Sequence, residues 1–146
     1  MKNKLPLAII AGIVGTIAFT LITFIAPLMG MPKMSPAGML SMMMGVPIAA
    51  GWIMHFMIGI IFAVIYVYVF AGLFKKISSP VLKGTIYGVI VFLFAQIIMM
   101  LMNGMMTLPA IRASEMAMAA GSLIGHLVFG ITVTSLAKEE LISSFD

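Results

Sequence analysis

The chain contains no cysteine, which excludes disulfides, thiolate metal sites and thiol catalysis. Charge is almost as scarce: charged residues make up 8% of the 146 positions, against about 25% in soluble domains. The only acids are Glu115, Glu139, Glu140 and Asp146, all outside or at the edge of the long apolar stretches. A carrier that moves protons on buried carboxylates is therefore disfavoured. The net charge is +4, but eight basic residues are too sparse for a nucleic-acid surface, so no nucleic-acid partner is expected. There is no nucleotide-binding glycine loop, no G-x-S-x-G and no H-E-x-x-H, so no soluble-enzyme motif is present.

What the chain has in abundance is apolar surface. Hydrophobic residues account for 63% of it, against about 45–50% in soluble domains. A chain of this size cannot enclose so much apolar surface, so most of it must face a lipid bilayer. Four uncharged stretches, about 5–29, 48–74, 84–106 and 116–137, each reach the roughly 20 residues that span a bilayer core. Backbone groups in lipid must be satisfied within their own segment, so the stretches are helices. The expected fold is all-α, a single transmembrane domain over residues 1–146 built as an integral membrane four-helix bundle.

The basic residues orient this bundle. Lys2, Lys4, Lys75, Lys76, Lys83 and Lys138 share one side of a four-span topology, leaving Lys33 and Arg112 on the other. The positive-inside rule then predicts cytoplasmic N- and C-termini in a multi-pass protein of a bacterial inner membrane. Lys2 and Lys4 resemble the n-region of a signal peptide, but the following apolar run is long and no A-x-A site follows, so the first span reads as a retained anchor. In the first outer linker, Ser35-Pro36 reads as an N-cap with proline at the first helical position, predicting a short interfacial helix over Pro36 to Met44. In the second, Pro109 predicts a helix start running to Met118, with Arg112 and Glu115 spaced to pair.

The second and fourth spans look alike. AAGWIMHFMIGIIFA begins at Ala49 and AAGSLIGHLVFGITV at Ala119; each has AAG, a histidine after three or four intervening residues, and glycine four further on. Both follow an apolar helix and a proline-containing linker. The pattern predicts two parallel helix–linker–helix repeats, about 1–76 and 77–146, related by an axis along the membrane normal.

Each span also carries a stripe that departs from lipid-like composition. Thr16, Thr20 and Thr23 line the first; Trp52, His55, Gly59, Phe62 and Tyr66 the second; Thr85, Gly88, Phe92, Gln96, Met99 and Asn103 the third; Ser122, His126, Gly130 and Val133 the fourth. Polar groups favour the bundle interior. For the threonines and glycines, including Gly84-x-x-x-Gly88 and Gly121-x-x-x-Gly125, helix packing suffices as an explanation.

His55 and His126 are the only titratable groups well inside the spans, and an intramembrane ionisable residue is a functional candidate by default. Two imidazoles on facing helices suit axial ligation of a b-type haem, with Gly59 and Gly130 leaving flat space for a porphyrin and Trp52, Phe62 and Tyr66 as aromatic walls. Gln96, Asn103 and Ser122 are the expected partners that orient the imidazoles. The alternative is neutral imidazoles satisfied by amides, hydroxyls or carbonyls, with no cofactor bound. Depth decides between them. Counted from the outer ends of their spans the histidines lie about 10 and 15 Å in, but counted from the inner lysines about 30 and 18 Å, so the two rulers disagree on whether the rings share a level.

Methionine occurs 17 times, and every one after Met1 falls within 29–57, 99–106 or 116–118, on the side opposite the lysine-rich ends. Soft thioethers select Cu(I), so Met29, Met31, Met34, Met39, Met42, Met43 and Met44 form a candidate copper-collecting patch leading to Met54 and His55. The plainer reading is adaptable packing at an irregular surface.

At AAGWIMHFMIGIIFAVIY, preceded by FIAPLMGMPKM and followed by HLVFG in the last span, the chain resembles a family of small uncharacterised bacterial four-helix inner-membrane proteins. The resemblance covers nearly the whole chain and implies four spans with His/Gly positions at His55, Gly59, His126 and Gly130; it implies no activity. The leading functional expectation is electron transfer or sensing through haem held by the histidine pair. Cu(I) handling is the second. The third is an accessory role in a larger membrane complex or homo-oligomer.

Overall fold

The computed structural model of the chain describes residues 4–105 and 115–137. The expected helix start at Pro109, the pairing of Arg112 with Glu115 and the side chain of Asn103 lie outside the described residues. Five helices are present: α1 (Leu5–Ile25, extended by a 3₁₀ turn over Ala26–Met29), α2 (Pro36–Met44), α3 (Ile48–Leu73), α4 (Pro80–Met105) and α5 (Glu115–Leu136). No strand occurs among the described residues. All but α2 are long and apolar enough to cross a membrane.

Proline and serine set the helix starts. Ser35 Oγ accepts the Gly38 N–H at 3.1 Å with Pro36 at the first helical position, so α2 begins where the Ser-Pro pair predicts. Ser79 Oγ accepts the Leu82 N–H at 3.3 Å and Pro80 opens α4 in the same way. The third span was expected from Gly84; its helix begins one turn earlier, which places Lys83 inside α4, where it is buried. A lysine stem is apolar enough to continue a helix, so the charge is a poor boundary. Gly30 (φ 80°) ends the 3₁₀ turn and Gly45 (φ 63°) ends α2, both in the left-handed region that a Cβ disfavours.

The helices pack in the order α4–α5–α1–α3, and α2 lies against α3. Small residues make this possible, because in lipid helices associate by close van der Waals contact rather than by hydrophobic burial. Within the first half, Gly59 of α3 lies against Gly12 and Thr16 of α1, and Gly12 in turn lies against the Ile60 backbone. Within the second half, Gly130 of α5 lies against Gly84 and Gly88 of α4, and Gly84 against the Ile131 backbone. The two halves therefore use matching positions: Gly12 with Gly84, Thr16 with Gly88, Gly59 with Gly130.

The contacts between the halves are not matched. On the α1–α5 seam, Gly15 receives Phe129 and Val133, and Gly125 receives the Phe19 ring. At the equivalent positions of α4 and α3 the chain has Tyr87 and Met54. Among the described residues α3 and α4 approach one another less closely than the other neighbouring helices, and they meet mainly through an aromatic cluster. Tyr87 pairs with Tyr66 (ring centroids 4.9 Å) and Phe70 (5.1 Å), and its hydroxyl donates to the Phe62 carbonyl at 2.5 Å. A π turn over Tyr66–Phe70 interrupts α3 at this cluster. Further along, Phe94 and Ile98 of α4 are exposed, although Phe94 still meets Phe62 edge-on.

The remaining polar groups are satisfied locally. Thr16, Thr20 and Thr23 donate to the carbonyls of Gly12, Thr16 and Thr20 at 2.7–2.8 Å. Among the described residues no buried side-chain nitrogen or oxygen lacks a partner.

A candidate site of two histidines around Phe19

Phe19 links the two histidines. It is buried on α1, its ring seated on Gly125, and it meets both imidazoles edge-on, His55 at a centroid distance of 5.6 Å and His126 at 4.9 Å. Both α3 and α5 therefore present their histidines to the same side chain of α1. Trp52 (6.1 Å) and Phe56 (6.0 Å) flank His55, and Phe92 of α4 flanks His126 at 5.8 Å.

Each imidazole is pinned through one nitrogen. His126 Nδ1 lies 2.7 Å from the Ser122 carbonyl, which can only accept, so Nδ1 carries the proton and Nε2 keeps its lone pair in the neutral ring. The Ser122 hydroxyl lies further from the same nitrogen, at 3.4 Å. His55 Nε2 lies 3.1 Å from Thr20 Oγ1, whose own proton is given to the Thr16 carbonyl at 2.8 Å. With that proton committed, the hydroxyl accepts from His55 Nε2–H, and His55 Nδ1 keeps the lone pair. Neither remaining nitrogen has a hydrogen-bond partner among the described residues. Because no fully buried nitrogen lacks a partner there, both retain open surface. An imidazole that donates one N–H to a fixed acceptor and offers the other nitrogen is the form in which histidine ligates metals.

Several expected site residues are placed elsewhere. Gly59 and Gly130 offer no flat space: a Cβ at Gly59 would strike Thr16 Oγ1, and one at Gly130 would strike the Gly84 carbonyl and the Gly88 backbone. Neighbouring helices already occupy those faces. Tyr66, eleven residues past His55, lies about 16 Å further along the helix and belongs to the Tyr87 cluster. Gln96 is exposed on α4 and makes no hydrogen bond to either histidine. Met42 and Met44 are exposed while Met43 is buried, since consecutive helical residues point about 100° apart; they do not converge as a copper patch. Met54, next to His55 in sequence, points away from it for the same reason. Ser122 and Trp52 do adjoin the histidines as expected.

The residues that sequence reading left out are Phe19 and Phe56. Of the candidate methionines, Met31 and Met34 place their sulfurs 3.7 and 3.0 Å from the position a Cβ at Gly121 would take. Thr20 and Phe92 were visible as stripe members without a role. The spacing Gly15–Phe19–Thr23, one face of α1, was the available signal for Phe19.

Fold and site together define a small all-α protein with four helices long and apolar enough to cross a membrane and two histidines packed against one phenylalanine between them. The chain belongs to DUF6789, a family of unknown function, which matches residues 2–139. No curated protein and no solved structure matches it.

Proposed function

We propose that this is a multi-pass membrane protein that holds a single soft metal ion of the Cu(I) class on the open nitrogens of His55 and His126. The observation behind this reading is that both rings rest on Phe19 with one nitrogen pinned and the other left as a lone pair. The choice of ion follows from charge. No group of three His, Cys, Asp or Glu is gathered among the described residues, so a divalent ion would carry two uncompensated charges into a low-dielectric interior. A monovalent ion on two neutral imidazoles carries one, and the Phe19 ring adds cation–π attraction. Thioethers, which select Cu(I), are concentrated in the segments near the α2 end. The lysine distribution supports an orientation with that end outside the cytoplasm of a bacterial inner membrane, and in this reading the ion enters from the outer side.

A b-type haem is the competing ligand for the same histidines. Packing favours the bare ion, because Phe19 stands against both imidazoles and the flanking glycines are covered by helices. Titration of the purified full chain in detergent with Cu(I), against a chromophoric Cu(I) chelator, separates the readings. One ion per chain is expected, lost in His55→Ala and in His126→Ala. A wild type that retains no ion, or a double variant that retains it equally, overturns the proposal. A Soret band in the freshly purified protein replaces the ion with haem.

A further inference from the structure

We propose that α4 is a homodimer interface, in which Gln96 of one chain pairs with Gln96 of a second copy inside the membrane. This inference is independent of what the histidines bind. One face of α4 is consumed within the chain, where Gly84 and Gly88 lie against α5. The opposite face carries Leu82, Ile86, Val89, Leu93, Gln96 and Met100, spaced 4, 3, 4, 3 and 4 residues apart. That unbroken alternation is the seam of a left-handed helix pair. No helix among the described residues covers it: Leu82 is 51% exposed, Leu93 53% and Met100 67%, Val89 and Gln96 are exposed, and only Ile86 is half-buried.

Gln96 turns this face from a lipid-facing stripe into an interface. It has no hydrogen-bond partner among the described residues and lies within an apolar run, five residues short of Leu101. A primary amide left unpaired in hydrocarbon is costly, because that medium offers no hydrogen bonds to replace those of water. A single polar residue in an otherwise apolar seam is also the device that fixes register between two helices. The partner chemistry points to a second copy. Every copy enters the membrane in the same orientation, so Gln96 lies at the same depth in each. A two-fold axis along the membrane normal sets the same residue opposite itself. The amide carries both donors and an acceptor, so two of them satisfy one another.

The natural absence of cysteine makes the test clean. Single-cysteine variants of the full chain at Val89, Leu93 and Met100 are oxidised in native membranes, with Phe94→Cys and Leu101→Cys as controls that are exposed on another side of α4. Disulfide-linked dimer is expected at the seam positions, at least severalfold above the controls. In the Leu93→Cys background, Gln96→Leu is expected to lower cross-linking severalfold and Gln96→Asn to preserve it. Equal cross-linking at seam and control positions, or none at any, overturns the interface. Full cross-linking in Gln96→Leu overturns the role of the amide, and normal expression and heat stability of that variant show that it still folds.

Discussion

Phe19 meets His126 edge-on, with ring centroids 4.9 Å apart and ring planes 83° to one another. The same ring fills the groove above Gly125, so packing of α1 on α5 and placement of the imidazole are one structural event. Phe19→Ala is therefore expected to cost about 3–5 kcal/mol, as for other buried phenylalanines. Trp52 is the only tryptophan and sits 6.1 Å from His55, so its emission during denaturation in mixed micelles reports both the unfolding and the local change. An unchanged denaturation midpoint would show that the ring does not wedge the seam.

The two histidine-linked glycines differ in what they touch, and so in what can rescue them. Gly59→Ala brings its methyl onto Thr16 Oγ1, whereas Gly130→Ala brings it onto the Gly84 carbonyl and the Gly88 backbone. Each is expected to destabilise by about 1–3 kcal/mol through overpacking, with Gly130→Ala the more severe because backbone cannot give way. Adding Thr16→Ala should restore most of the loss in Gly59→Ala. The same denaturation assay, applied to the single and double variants, checks this; failure of the rescue would mean that the α1–α3 contact is not set by that hydroxyl.

Thr20 orients His55 without offering an atom to the ligand. Thr20→Val removes the oxygen that accepts from Nε2 and should weaken Cu(I) binding about 10–100-fold, the usual scale for an orienting partner. Thr20→Ser keeps the oxygen and should bind as wild type. Nitrogen-15 NMR of the ring gives a second readout: the Nε2–H tautomer in wild type and Thr20→Ser, and a mixture in Thr20→Val.

Tyr87→Phe deletes the 2.5 Å hydrogen bond to the Phe62 carbonyl while keeping the ring against Tyr66 and Phe70. The expected cost is about 0.5–1.5 kcal/mol, that of one hydrogen bond. Hydrogen exchange of the amides at the π turn should quicken in this variant, since the hydroxyl braces α3 where its ladder changes. Exchange unaltered from wild type would remove Tyr87 as that brace.

Gly45→Ala forces a Cβ into the left-handed region that closes α2, at a cost of about 1–2 kcal/mol. Limited proteolysis between Met31 and Pro47 should become faster while the long helices stay intact. Equal cleavage rates would show that the turn is not what fixes α2.

Much of the helical frame is written in composition and punctuation. The apolar stretches give the four long helices, and Ser35-Pro36 gives α2 to the residue. The histidines were legible as well, because ionisable residues stand out in an apolar helix. What one sequence does not state is which neighbour each face meets. Gly59 and Gly130 read equally well as room for a ligand or as room for a helix, and only the docked helices distinguish the two. Tyr66 shares a face with His55 by spacing, yet eleven residues carry it to another cluster. Met42, Met43 and Met44 look like a ligand set when read in a line, but a helix turns them to three sides. Phe19 was hidden for the opposite reason: a phenylalanine in an apolar helix draws no attention until its neighbours prove to be imidazoles.

The mismatch between the two seams also bears on ancestry. If the halves arose from one gene, the precursor needed the same residues on both seams of a symmetric pair, with a glycine opposite a glycine or a tyrosine opposite a methionine throughout. Here Gly15 and Gly125 stand on one seam and Tyr87 and Met54 on the other. A duplicate of the first half would set Gly15 against Met54, and one of the second would set Tyr87 against Gly125, so the close seam and the wide one both require unlike halves in one molecule.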